Sequence, residues 1–75
     1  MNYSLTKTDR KTLQQYEVHL KRALDGYVRG IYDHDLNILT PIYSKFGYQL
    51  DNRNCSTCVL GMIRFLANKF YDYEQ

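Results

Sequence analysis

From Thr8 onward apolar residues recur three or four positions apart, at Leu13, Tyr16, Leu20, Ala23, Leu24, Tyr27 and Ile31, which aligns them on one stripe of an α-helix. The spacing predicts a first helix over residues 8–31. Thr6 and Asp9 are spaced as in a capping box, and Leu5 precedes them where a hydrophobic staple would sit. Glu17/Lys21 and Asp25/Arg29 are favourably oriented i,i+4 pairs. Gly26 and Gly30 each oppose helix by about 1 kcal/mol. The helix therefore ends near Asp25 or continues to Ile31, and the stripe favours Ile31.

A second stripe, Leu36, Leu39, Ile42 or Tyr43, and Phe46, predicts a helix over 35–46, with Asp33 or Asp35 as N-cap and Gly47 as the stop. Pro41 removes one intrahelical bond, so the segment is either kinked there or restarted with Thr40 as cap. A polar loop from Tyr48 follows, and Asn54 is placed to cap a third helix over 55–73. Its stripe runs Cys55, Cys58/Val59, Met62/Ile63, Leu66, Phe70 and Tyr73. No segment reads as a strand, and no repeat or linker divides the chain. The expected fold is all-α, a single three-helix domain over 1–75.

Composition adds a constraint on stability. A chain of 75 residues hides only about 60% of the surface its unfolded form exposes. Such a core rarely supplies more than roughly 3–5 kcal/mol unaided, so a staple, a metal or a partner often helps. Eight Tyr and three Phe with no Trp place many amphipathic rings on a small body, and tyrosine is enriched at interfaces. Tyr3, Tyr48, Tyr71 and Tyr73 are the candidate protein interface.

Ten basic and eight acidic side chains, net +2, alternate along the chain, a faint footprint for a nucleic-acid binder. Lys7, Arg10, Lys11, Lys21, Arg22 and Arg29 nevertheless gather on the first predicted helix, where they could track phosphates. Asp9, Glu17 and Asp25 interrupt them, as on an ordinary solvated face. No apolar run has the length of a membrane span, and residues 1–7 lack the pattern of a secretory signal. The expected location is cytoplasmic, in a host cell or a virion if the origin is viral.

The sharpest chemical feature is Cys55-Ser56-Thr57-Cys58 at the start of the third helix, where unpaired N–H groups and the helix dipole lower a thiol pKa. Three readings compete. One is redox chemistry, although the βαβ setting of thioredoxin-like proteins is missing. Another is a zinc site completed by His19 and His34, the only histidines present, which requires three segments to converge. The third is a pair of small apolar residues at the head of the stripe. A reducing compartment would hold the thiols open, although a reversible disulfide fits the spacing. Asp33-His34-Asp35 could bind a metal or simply cap the second helix. No nucleophile elbow or triad is readable. Tyr71-Asp72-Tyr73-Glu74 places acid at a helix end that prefers cations.

The C-terminal half reads Leu36-Asn37-x-Leu39-x-x-Ile42-Tyr43-x-x-Phe46-Gly47, then Asn54-Cys55-x-x-Cys58-Val59-x-x-Met62-Ile63. This pattern resembles short proteins of tailed bacteriophages and related prophages. Pro41 departs from it. The resemblance covers about half the chain and implies a viral or prophage origin, with the cysteines opening the last helix. It brings no activity and no ligand set. Together these features lead to the expectation of a non-enzymatic interaction or assembly protein that uses no cofactor. The alternatives are a nucleic-acid-binding accessory protein and a zinc-stabilised helical module.

Overall fold

A computed structural model of the protein describes residues 4–72. These residues form four helices, α1 (Lys7–Gln14), α2 (Glu17–Leu24), α3 (Asp33–Lys45) and α4 (Ser56–Asp72), with no strand among them. The all-α class holds, whereas the count of three helices does not.

The single helix expected over 8–31 is two short helices that end early. At α1 the capping box is complete: Asp9 N–H donates to Thr6 Oγ1 (3.1 Å) and Thr6 N–H donates to Asp9 Oδ2 (3.2 Å). After Gln14 the chain tightens, with Gln15 N–H and Tyr16 N–H donating to the carbonyls of Thr12 and Leu13. These three-residue bonds break the α-helical ladder. α2 then ends at Leu24 in a Schellman motif. Tyr27 N–H bonds the Arg22 carbonyl, Gly26 N–H bonds the Ala23 carbonyl, and Gly26 adopts φ 100°. Gly26 is thus the helix terminator, not a weak interior position, and Tyr27 and Ile31 lie in the following loop.

α3 begins two residues earlier than expected and runs through Pro41 as one helix, without a restart at Thr40. It stops where predicted, with Gly47 at φ 90°. At α4 the cap moves by one residue. Cys55, not Asn54, supplies the first carbonyl, to Val59 N–H (3.0 Å). Asn54 N–H instead donates to Asn52 Oδ1 in a local turn.

The core is made of Leu13, Leu20, Ala23, Leu36, Leu39, Ile42, Val59, Met62, Ile63, Leu66, Ala67 and Phe70. α4 is its centre, packing most extensively on α2 and also touching α1 and α3. Because the short α1 and α2 cannot be stable alone, their two buried leucines and Ala23 hold them onto α4. Burying a Leu in this way contributes roughly 1.5–3 kcal/mol. Polar ties close the ends. Lys45 Nζ pairs with the buried Asp9 at 3.0 Å, and Arg10 Nη2 donates to the Phe70 carbonyl at 3.1 Å. Arg10 also lies 4.8 Å above the Phe70 ring. A cation from α1 therefore meets the C-terminal end of α4, in addition to Lys69 in its own last turn. No helix is long and apolar enough to cross a membrane among the described residues.

Candidate functional site

The end of α3, the turn after Gly47 and the middle of α4 bring four rings together. Phe65 is the hub. Tyr43, Phe46 and Tyr48 each meet it nearly edge-on, at centroid distances of 5.4, 5.2 and 5.1 Å. Tyr48 also stacks on Tyr43 at 5.6 Å. Lys69, one helical turn beyond Phe65, places its ammonium 5.5 Å from the Phe65 ring and 5.8 Å from Phe46. Such ring pairs contribute about 0.5–1.5 kcal/mol beyond burial, so the cluster is an ordered platform. Tyr48 is its outward member, 50% exposed, while Tyr43, Phe46 and Phe65 are half-buried. Gly47 makes this possible, since its positive φ turns the chain back and lays Tyr48 over the end of the helix that has just finished.

Of the four rings expected at an interface, Tyr48 alone occupies such a position among the described residues. Tyr3 and Tyr73 lie outside them. Tyr71 is half-buried, meets Phe70 edge-on at 5.1 Å and points its hydroxyl at Glu17 Oε2 (3.4 Å). Its pKa is raised, first by burial and then by the charge of Glu17. Sequence reasoning missed Phe65, which falls off the apolar stripe. Its signal was present in the spacing of Phe65 and Lys69, and in an aromatic residue on each side of Gly47.

Asp35 organises a second, buried site. Its carboxylate accepts from Tyr16 OH (2.8 Å) and from Tyr32 N–H (2.9 Å), with His34 Nε2 at 3.2 Å. Burial alone would raise the Asp35 pKa. The Tyr32 and Tyr16 hydrogen bonds and the two neighbouring histidines, His34 and His19, outweigh that and lower it. Tyr16 is pushed up to about 12 by burial, then by its bond to Asp35 and that residue's charge. A neutral phenol and an ionised carboxylate are thus locked together at neutral pH. They tether the break between α1 and α2 to the start of α3. Of the Asp-His-Asp trio, Asp35 reaches back to cap the helix, Asp33 lies near exposed Arg53 (3.7 Å) and His34 stacks on Tyr32.

The zinc set is not assembled. Cys55 and Cys58 are bonded to each other as a disulfide. His34 is largely exposed in the first turn of α3. His19 packs between Tyr16 and Gly30, its buried Nδ1 without a hydrogen-bond partner among the described residues. Nowhere among the described residues do three or more His, Cys, Asp or Glu converge as metal ligands.

The six basic residues are spread over two helices and a loop. Lys7 and Lys11 are exposed on α1, and Arg10 is committed to Phe70. On α2, Lys21 pairs loosely with Glu17 at 3.8 Å and Arg22 is half-buried. Arg29 is exposed in the loop after the Schellman turn. The chain matches no protein-family model, no curated protein and no solved structure.

Proposed function

We propose that this domain is a non-enzymatic interaction or assembly protein of phage or prophage type, acting through protein–protein contacts at the Tyr43–Phe46–Tyr48–Phe65–Lys69 face. One observation carries the reading: an ordered aromatic platform whose outermost ring, Tyr48, is half exposed and whose inner rings Phe46 and Phe65 meet the Lys69 ammonium. A rigid ring that is already positioned loses little conformational entropy when a partner covers it, and for this reason Tyr recurs among residues that dominate interfaces. The phage-like pattern of the C-terminal half spans this same region and supports an assembly context.

Self-docking is tested by sedimentation velocity and by NMR spectra over a concentration series. Concentration-dependent shifts confined to residues around Tyr48, and a roughly tenfold weaker association for Tyr48→Ala, are expected. Strictly monomeric behaviour, with spectra that do not change with concentration and no shift on adding particle proteins from the same genome, overturns the reading. A low-salt titration with nucleic acid separates the alternative. Binding through Lys7, Lys11, Arg22 and Arg29 that collapses steeply with salt would replace the protein-contact reading.

A further inference from the structure

Cys55 occupies the N-cap of α4, a place usually held by Ser, Thr, Asp or Asn. Its sulfur takes the role that an oxygen has in those residues. Cys58 N–H donates to Cys55 Sγ at 3.2 Å, and Thr57 Oγ1 lies 3.6 Å from the same sulfur. The disulfide joins residues only three apart within the first turn of a seventeen-residue helix. It holds no two elements together, and so short a loop constrains the unfolded chain far less than a bridge between distant segments. Tertiary stapling therefore does not account for it.

The surroundings favour the reduced form instead. α4 has no acidic residue in its first turn, so no carboxylate opposes a thiolate there. The unpaired N–H groups of that turn and the helix dipole stabilise negative charge at the cap. A thiolate accepts a hydrogen bond more strongly than a bonded sulfur, so Cys58 N–H serves the cap better after reduction. Both cysteines are half-buried, not sealed in the core.

We propose that Cys55 and Cys58 form a reversible dithiol/disulfide couple that exchanges with low-molecular-weight thiols of the glutathione class, with Cys55 as the sulfur that carries the thiolate. An incoming thiolate attacks Cys58 Sγ, a mixed disulfide forms there, and the electron pair of the broken bond leaves on Cys55. A second thiol attacks the mixed disulfide at its own sulfur and releases Cys58, which takes a proton. Two thiols become one low-molecular-weight disulfide, and the protein gains two electrons. Oxidation runs the same steps backwards: the Cys58 thiolate attacks the low-molecular-weight disulfide and releases one thiol, and the Cys55 thiolate then attacks Cys58 Sγ and expels the second.

The test equilibrates the full chain in glutathione redox buffers and traps thiols by alkylation for mass spectrometry. The expected result is a two-electron transition within the range those buffers span, with circular dichroism unchanged on reduction. At pH 6.5, Cys58→Ser, which keeps Cys55, should alkylate about tenfold faster than Cys55→Ser, which keeps Cys58. Three results would each overturn the proposal: no reduction at any buffer ratio, equal alkylation rates in the two variants, or unfolding of the native chain on reduction.

Discussion

α3 and α4 both begin with a side chain placed to satisfy a backbone donor at the helix start, yet the two starts are built for different ends. At α3, Asp35 reaches back to Tyr32 N–H and at the same time accepts the Tyr16 hydroxyl from the α1–α2 break. At α4, the Cys55 sulfur accepts only from within its own turn. The first arrangement is buried and ties remote parts of the chain together. The second is half-buried, local and chemically convertible. Comparing them shows how a capping position becomes structural: the cap must be shared with a distant segment, because a bond inside one turn cannot hold the tertiary fold.

The comparison is sharpest where the shared cap is destroyed. Asp35→Ala leaves the Tyr16 hydroxyl and the Tyr32 N–H without their acceptor and is expected to cost about 2–4 kcal/mol in urea denaturation. A loss below about 1 kcal/mol would show that the α3 cap is as local as the α4 cap.

A smaller effect is expected in pH dependence. Because folding lowers the Asp35 pKa beneath its ordinary 3.8, its contribution to stability is complete above that value and is lost as the pH falls through the depressed one. Tyr16 acts in the opposite direction. Its contribution is complete below 10 and is lost as the pH rises toward about 12. Tyr16→Phe should cost about 1 kcal/mol at neutral pH, flatten the acid limb and shrink the alkaline one to the part that Tyr71, whose pKa is also raised, contributes. Unfolding free energies measured from pH 2 to 12 check all three outcomes. An acid limb unchanged by Tyr16→Phe would remove the hydroxyl as a cause of the Asp35 shift.

The smallest effect belongs to the α4 cap. Cys55→Ser should change stability by about 1 kcal/mol or less, since an oxygen cap replaces the sulfur and offsets the loss of a short disulfide loop. Cys58→Ser breaks the same bond but keeps sulfur at the cap, where oxygen is the stronger acceptor, and should cost slightly more. Thermal melts of the two variants side by side read the order, and a larger loss for Cys55→Ser would contradict it.

How much was legible in the chain follows the range of each interaction. The Thr6/Asp9 box, the stop at Gly47 and the apolar face of α4 involve partners within a turn or two, and each was readable from residue order. The break at Tyr16 was not, because the stripe continues through it unchanged. What the break accommodates is a hydroxyl bonded to a carboxylate nineteen residues away. Gly26 was weighed as a propensity cost when its use is a left-handed C-terminal turn, a distinction that rests on backbone dihedrals and not on composition. Arg10 was read as part of a basic face, but its guanidinium is spent sixty residues away on the end of α4. At the candidate site, Tyr48 was legible and its support was not, since Phe65 looked like a residue off the stripe.

The order of residues by itself determined that this protein is helical, where its apolar faces lie, and two of the short-range signals that bound them, the Thr6/Asp9 box and the Gly47 stop. Helical periodicity and capping depend on neighbours three to five positions apart, and those are written directly in the chain. Only the tertiary structure decided that the first helix is two, that Asp35 serves two masters, that three rings gather around Phe65 and that the two sulfurs meet each other and not the histidines. Each of these depends on which surfaces pack together, and burial selects that arrangement over the whole molecule at once.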